Sequence, residues 1–279
     1  MSLFDGISCG RIALERAGIK VNNYYASEID QTAIRISAKN YPDIVQLGDI
    51  NNWREWGIDW NRIDLLIGGS PCQGFSFAGK HLNFNDERSK LFFVYVDILN
   101  HLKEINPNIK FLLENVKMKK DYQDVISSEL GVEPISINSE LVAACRRNRL
   151  YWANFYIPIP NDRGITFDDI NDHSEDWLSQ DYIDKVSKWK AQQDPLKNVT
   201  LIGAKSKLPC LTARGYNQSH SGMILITDGE RYRYLSNHEA EAAMTLPIGY
   251  TDGFTNKERA TVIGNGWTVD IIVHIFKNL

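Results

Sequence analysis

Residues Arg62 to Gln73, RIDLLIGGSPCQ, decide how the chain is read. The apolar run Leu65–Leu66–Ile67 ends in Gly68 and Gly69, and Pro71 and Cys72 follow at once. A short apolar run closed by a glycine–proline turn reads as a strand. In open parallel sheets, ligands bind beyond the carboxyl ends of strands, which is where this thiol falls.

The same texture extends upstream and downstream. MSLFDG reads as a first strand entering a glycine turn, and GRIALERAGI as a short amphipathic helix on Ile12, Leu14 and Ala17, ended by Gly18. NNYYASEID is a second strand, followed by a helix from about Gln31 to Asn40. IVQLGDI is a third strand and RIDLLIGGS the fourth. KLFFVYVDILNHLKEI is a long helix, and IKFLLENV a fifth strand. Strands separated by single helices predict βαβ units and a parallel sheet. The pattern continues through EPISINSELVAA and RLYWANFYI. After Ile157 the chain turns polar, acidic and tryptophan-bearing, which puts a boundary near Pro158. The expected organisation is a first domain over 1–157, a second region over 158–250, and a segment over 251–279 returning to the first domain.

The bulk numbers fit one large α/β domain with a smaller lobe. The chain has 279 residues, 43% hydrophobic and 24% charged, enough for a real core. No apolar run approaches the roughly 20 residues of a membrane span, so no membrane partner is expected. The N-terminal residues lack the pattern of a secretory signal, and a cytoplasmic protein is expected. The four cysteines, Cys9, Cys72, Cys145 and Cys210, are scattered without a CxxC pair, so neither zinc nor a disulfide framework is favoured. A net charge of −4 argues against wholesale nucleic-acid binding but leaves room for a local basic groove.

Chemistry-bearing residues collect at successive strand ends. The first gives Gly6 and Gly10, where a ligand could approach backbone closely. The second gives Glu28, able to accept hydrogen bonds from ribose hydroxyls; the third gives Asp49, the fourth Cys72 and the fifth Glu114. Each has a plainer reading. Glu28 and Asp49 could cap the next helix, a lone cysteine is commonly a small buried hydrophobe, and Glu114 could pair with a lysine. Taken together and in order, they predict a nucleotide-type cofactor and a thiol nucleophile.

That order resembles the cytosine carbon-5 methyltransferases over nearly the whole chain. FDGISCG is similar to the family's first motif, SEID to its second, GDI to its third and GGSPCQGFS to its Pro-Cys motif. ENV, CRRNRLYW and GNGWTV are similar to the glutamate, arginine and closing asparagine motifs. LPCLTARGY and LSNHEAEAAMTLP resemble the flanks of the recognition region. LFDGI, Trp267 and the short recognition region lean toward the animal de novo DNA methyltransferases and their bacterial and phage relatives. The resemblance implies a Rossmann-like class I S-adenosylmethionine-dependent fold, a mostly parallel twisted α/β sheet with a small recognition lobe.

It also implies roles. Cys72 would add to carbon 6 of a cytosine, making carbon 5 nucleophilic toward the methyl group of S-adenosyl-L-methionine. Pro71 would aim the sulfur and border the cofactor. Glu114 would hydrogen-bond the N3 edge of the base. Arg147 and Arg149, alternating on an extended segment, would face one target, Arg149 at the base carbonyl. Phe4, Asp5, Gly6 and Ile7 would frame the methionine part of the cofactor. Glu28 would hold the ribose, Ile29, Asp49 and Ile50 the adenine, and Leu91, Asn265, Gly266 and Trp267 would complete the site. Double-stranded DNA is the implied partner, with the base flipped from the stack. Gln73 and Ser76, in a loop after the nucleophile, would meet DNA. Base-edge readout would fall to Arg214, Asn217, Gln218 or Ser219. A cognate restriction endonuclease is a further partner that the resemblance allows, while the oligomeric state is left open. Two departures stand out: Cys145 replaces the family's usual glutamine, and Ser89 a typical glycine. The alternatives are a tRNA cytosine-5 methyltransferase, disfavoured by the recognition-like LTARGY flank, and a non-catalytic DNA- or cofactor-binding regulator, disfavoured by Cys72 and Glu114.

Overall fold

The computed structural model describes residues 1–71, 87–181, 184, 199–214, 216 and 223–279. They divide into two compact units. The first comprises Met1–Asn138, Asn148–Ile159 and Ile272–Leu279; the second comprises Ser139–Arg147 and Pro160–Ile271.

The first unit is built on a seven-stranded sheet. Its strands are β1 (Ser2–Leu3), β2 (Tyr25–Ser27), β3 (Val45–Gln46), β4 (Leu65–Gly68), β5 (Lys110–Val116), β6 (Ile135–Asn138) and β7 (Asn148–Ala153). Their spatial order is β3-β2-β1-β4-β5-β7-β6. β1 lies between two parallel neighbours, with Ser2 opposite Ala26 on one side and Ile67 on the other. The strand order therefore reverses at β1, the switch point where such sheets open a crevice for ligands. The regular βαβ expectation fails at the far edge. β7 runs antiparallel to both β5 and β6, because the tight connection Ser139–Arg147 leads from β6 into its own neighbour.

The helices of this unit follow their local signals. α1 (Cys9–Arg16) closes on Gly18, whose φ of 75° is open to glycine without strain. α2 (Gln31–Asn40) is capped by Asp30, which accepts from the amides of Thr32 and Ala33. α3 (Glu87–Ile105) lays Phe92, Tyr95, Val96, Leu99 and Leu102 into the core with Leu3, Leu66, Phe111, Leu113 and Trp152. Each such side chain fully removed from water is worth about 1.5–3 kcal/mol. α4 (Lys120–Leu130) ends on Gly131 at φ 74°. It offers the Ser127 hydroxyl to the indole N–H of buried Trp152 at 3.0 Å.

The second unit carries a three-stranded sheet: β8 (Val199–Ile202) is parallel to β9 (Met223–Thr227), and β9 is antiparallel to β10 (Tyr232–Tyr234). It also holds α5 (Asn237–Ala243) and α6 (Asn256–Asn265), each opened by a capping box, Ser236 with Glu239 and Thr255 with Glu258. α7 spans Val269–Phe276. No helix of the described residues is long and apolar enough to cross a membrane.

Candidate active site

The turn after β1 has an unusual backbone. Phe4, Gly6 and Ser8 all lie at positive φ, 57°, 59° and 59°. Only glycine adopts that region freely, so Phe4 and Ser8 are held there by their surroundings. Asp5 is buried, and its carboxylate accepts from the Ser8 hydroxyl at 2.5 Å and the Tyr24 hydroxyl at 2.8 Å. Burial pushes this carboxyl up to about 6, against the pull of the Ser2, Ser8 and Tyr24 hydroxyls. Ile7 is also buried. The side chains of Asp5 and Ile7 thus serve the turn's interior, and the turn offers a ligand mainly its backbone. A Cβ at Gly10 would stand 2.3 Å from Ile67 Cδ1, so that side chain would have to shift to admit one.

The turn meets the next strand end directly. The Gly6 amide donates to Glu28 Oε2 at 2.8 Å, while Glu28 Oε1 takes the amides of Ile29 and Asp30 at 2.8 and 2.9 Å. Oε1 is thereby filled, and Oε2 keeps one lone-pair direction for an outside donor. Ile29 beside it is 68% exposed, an apolar surface next to a carboxylate with spare capacity. Asp49 does cap, accepting on Oδ1 from the Asn51 amide and side chain. Ile50 is buried in the core, so its side chain stays inside rather than lining a surface. Leu91, on α3, is partly buried against the same core.

Beyond β4 and β5 lies the second cluster. Glu114 is opposite Tyr151, and Val116 opposite Arg149, in the antiparallel β5–β7 register. Residues two apart on a strand share a face, so Glu114 and Arg149 are diagonal neighbours. Arg149 Nε stands 2.9 Å from Glu114 Oε1, with both side chains mostly buried. Asn115 points the other way and donates its amide to the carbonyl and hydroxyl of Ser70, at 3.2 and 3.1 Å. Pro71 follows, half-buried. Cys72, Gln73 and Ser76 lie outside the described residues, as do Asn217, Gln218 and Ser219.

Arg147 departs from expectation. β7 begins only at Asn148, so the alternation of a strand does not reach Arg147. Its side chain is buried in the second unit and donates to the Leu211 carbonyl at 3.1 Å, with Cys210 Sγ at 3.6 Å. It therefore fastens the Pro209–Leu211 segment, and Arg149 alone joins Glu114. Cys145 is buried as well, its thiol directed at the Pro209 carbonyl at 3.2 Å. In the second unit, Arg214 and Asn265 are exposed, Gly266 caps α6, and Trp267 is half-buried.

Sequence reasoning missed three contributors: Tyr24, Ser70 and Gly264. Tyr24 and Ser70 gave no signal beyond adjacency to a motif. Gly264 stood inside GNGWTV, and its reason is spatial. A Cβ there would lie 2.1 Å from the Thr212 carbonyl carbon and 2.4 Å from the Ala213 nitrogen.

Residues 1–128 match the family model described as C-5 cytosine-specific DNA methylase. The type II methyltransferase M.HpaII of Haemophilus parainfluenzae is 31% identical over 224 residues, which cover 71% of this chain and 61% of that protein. The orphan methyltransferase M.Rho11sI of Bacillus phage rho11s is 41% identical over 122 residues, 42% of this chain and 22% of that one. The chain thus spans less than two thirds of the length of these relatives. The solved Entamoeba histolytica methyltransferase EhMeth shares the fold, with a TM-score of 0.78 at 19% identity, covering 99% of this chain and 96% of that one.

Proposed function

The chain belongs to the cytosine-5 DNA methyltransferases, and from that premise we propose that it methylates carbon 5 of a cytosine in double-stranded DNA. The observation that carries the reading is the paired end of β5. Glu114 is held by Arg149 on one face, and Asn115 grips Ser70 on the other, two residues before Cys72.

S-adenosyl-L-methionine would supply the electrophilic methyl group. The residues present fit it: the Gly6 turn, the open lone pair of Glu28 Oε2 for a ribose hydroxyl, and exposed Ile29 for the adenine face. Asp49 Oδ2, not used in the cap, would suit the adenine amino group.

The protein's own groups divide the work on the base. Cys72, as thiolate, adds to carbon 6 and forms a C–S bond, which moves electron density toward carbon 5 and N3. Glu114, in its protonated form, donates its O–H to N3 as electron density arrives there, so that negative charge does not build on the ring, a role worth about 10²–10⁴-fold in rate. Arg149 fixes that carboxyl and presents further N–H donors to the same edge. After methylation, loss of the carbon-5 proton and expulsion of the thiolate restore the ring. Cytosine in a duplex hides carbon 6 in the stack, so the base has to be extruded first.

Expression in a host without cytosine methylation, followed by bisulfite sequencing, tests the reading. Methylated cytosines in a recurring short context are expected with the wild type and none with Cys72→Ser, which should still bind S-adenosyl-L-methionine. Soluble wild-type protein that leaves every cytosine unmethylated would refute it.

A further inference from the structure

The turn that faces Glu28 is stabilised from behind by hydroxyl groups, of which those of Tyr24 and Ser37 lie outside the quoted motifs. Tyr24, immediately before β2, donates to Asp5 Oδ1, and Ser8, at the start of α1, donates to Asp5 Oδ2. Ser37, on α2, stands 2.9 Å from the Ser8 hydroxyl and 3.2 Å from the Gly6 carbonyl. All these groups are buried or nearly so. Backbone bonds add Asp5 N–H to the Ser27 carbonyl, Ser8 N–H to the Asp5 carbonyl, and the Arg11 and Ile12 amides to the Ser8 carbonyl. Two non-glycine residues at positive φ within five positions persist only where neighbours over-determine them. What the arrangement sets is the direction of the Gly6 N–H, 2.8 Å from Glu28 Oε2.

We infer that Tyr24 and Ser37 are positioning residues for cofactor binding: through Asp5 and the Gly6 carbonyl they hold the turn so that Gly6 orients Glu28 toward the ribose. The inference rests on the proposed use of S-adenosyl-L-methionine. A purely structural hydroxyl cluster would change stability and leave the affinity of folded protein as it was. A positioning cluster changes affinity while the chemical step at saturation stays the same, because none of these groups reaches the β5 cluster.

The charged and titratable groups around the Asp5 carboxyl come from every element packed on it. They are Glu28 beyond β2, Tyr24 before it, itself next to Cys9 at the start of α1, and the Met1 amino group. Glu28 opposes ionisation of Asp5, and the Tyr24, Ser8 and Ser2 hydroxyls favour it. Removing the Tyr24 hydroxyl takes one donor from the carboxylate, so ionisation of Asp5 moves to higher pH.

The test is calorimetric titration of S-adenosyl-L-methionine into wild type, Tyr24→Phe and Ser37→Ala between pH 5 and 8, with methyl transfer to unmethylated genomic DNA alongside. Tyr24→Phe should raise Kd about tenfold, the scale of a lost hydrogen bond to a charged group. Its kcat at saturating cofactor should stay within about twofold of wild type. The break in log Kd against pH, at about 6 in the wild type, should move upward in this variant. Ser37→Ala, which does not touch Asp5, should raise Kd without that displacement, and it carries the test if Tyr24→Phe fails to fold. Unchanged Kd in folded variants, or a fall in kcat at constant Kd, would overturn the inference while leaving the methyltransferase reading intact. A wild type that binds no S-adenosyl-L-methionine would instead overturn the functional reading itself.

Discussion

The side-chain amide of Asn115, at the end of β5, reaches across to Ser70 at the end of β4, donating to its carbonyl at 3.2 Å and its hydroxyl at 3.1 Å. Both residues are buried. Ser70 leads directly into Pro71 and Cys72, so this contact anchors the segment that carries the proposed nucleophile to the strand that carries Glu114. Asn115→Ala removes both bonds without enlarging any side chain. Because small misplacements of reacting groups cost on the order of 10²-fold, kcat should fall by about that factor. The melting temperature should drop by only a few degrees. Asn115→Asp should behave alike, since a carboxylate cannot donate to the Ser70 carbonyl. Single-turnover methylation with saturating cofactor checks this, and an unimpaired rate in either variant would dismiss the anchor.

Arg149 and Glu114 form one unit, with Nε and Oε1 2.9 Å apart and both side chains mostly out of water. Glu114→Gln keeps the shape but has no acidic proton to give N3. It should lower kcat by about 10²–10⁴-fold, the range for a positioned acid or base. Arg149→Ala leaves Glu114 without its guanidinium and should lose both rate and stability, because breaking one side of a buried pair costs several kcal/mol. The affinity for S-adenosyl-L-methionine should change little in either case, since neither side chain is part of the Gly6–Glu28 cluster. Rates and cofactor titrations measured on the same preparations separate these effects.

The alternation of strands and helices was legible because short apolar runs closed by turn residues, such as Leu65–Ile67 before Gly68, alternate with helical spacing. The α2 bounds, Gln31–Asn40, match expectation because Asp30 supplies an unambiguous cap. The antiparallel β7 was not legible: RLYWANFYI has the composition of any buried strand, and its direction depends on the short connection before it. The candidate site divides the same way. Glu28 and Glu114 could be singled out because charged residues at strand ends are conspicuous. The burial of Arg147 was not legible because its guanidinium looks identical in sequence whether it faces DNA or the Leu211 carbonyl. Tyr24 was missed because a tyrosine beside a strand usually signifies core. Only the distance to Asp5 distinguishes it.

In the second unit, Arg233 and Glu239 are both almost wholly buried and bound twice, at 2.9 and 2.6 Å. Asn171 and the Tyr234 carbonyl take further guanidinium protons at 2.9 and 3.1 Å. Arg233→Met strands the Glu239 carboxylate and should cost about 3–5 kcal/mol. The double change Arg233→Met with Glu239→Leu should recover part of that, since no lone charge remains. It should not recover all, because the Ser236 amide also depends on Glu239. Urea midpoints for the three proteins decide the point, and a double variant less stable than the single one would refute it.

Asp5 predicts a pH dependence of stability. Its carboxyl holds a proton up to about pH 6 in the folded protein, against 3.8 for an ordinary aspartate. Between those values the folded state binds more protons than the unfolded state, so this group's contribution to stability falls as pH rises from about 4 to 6 and is level above. The fall amounts to about 3 kcal/mol at 1.36 kcal/mol per pH unit. Asp5→Asn cannot titrate. The stability of wild type relative to this variant should therefore decline across that window. Urea unfolding at pH 4.5, 5.5, 6.5 and 7.5 measures it, and a difference that is flat or rising would contradict the burial of the charge.

Gly264, on α6, is required by contact with backbone. A Cβ there would sit 2.1 Å from the Thr212 carbonyl carbon and 2.4 Å from both the Thr212 oxygen and the Ala213 nitrogen. No side-chain rotation relieves a collision with main chain, so the Thr212–Ala213 segment itself has to move. Arg214 is the next residue and is exposed, and it is a residue for which base-edge readout is proposed. Gly264→Ala should therefore destabilise by about 1–3 kcal/mol or somewhat more, as overpacking does. It should also weaken binding to target DNA through displacement of Arg214. Arg214→Ala should weaken DNA binding without the loss of stability. If Gly264→Ala melts normally and binds DNA normally, the close approach of α6 to this segment does not govern recognition. If it loses stability but keeps its DNA affinity, the contact is purely one of packing.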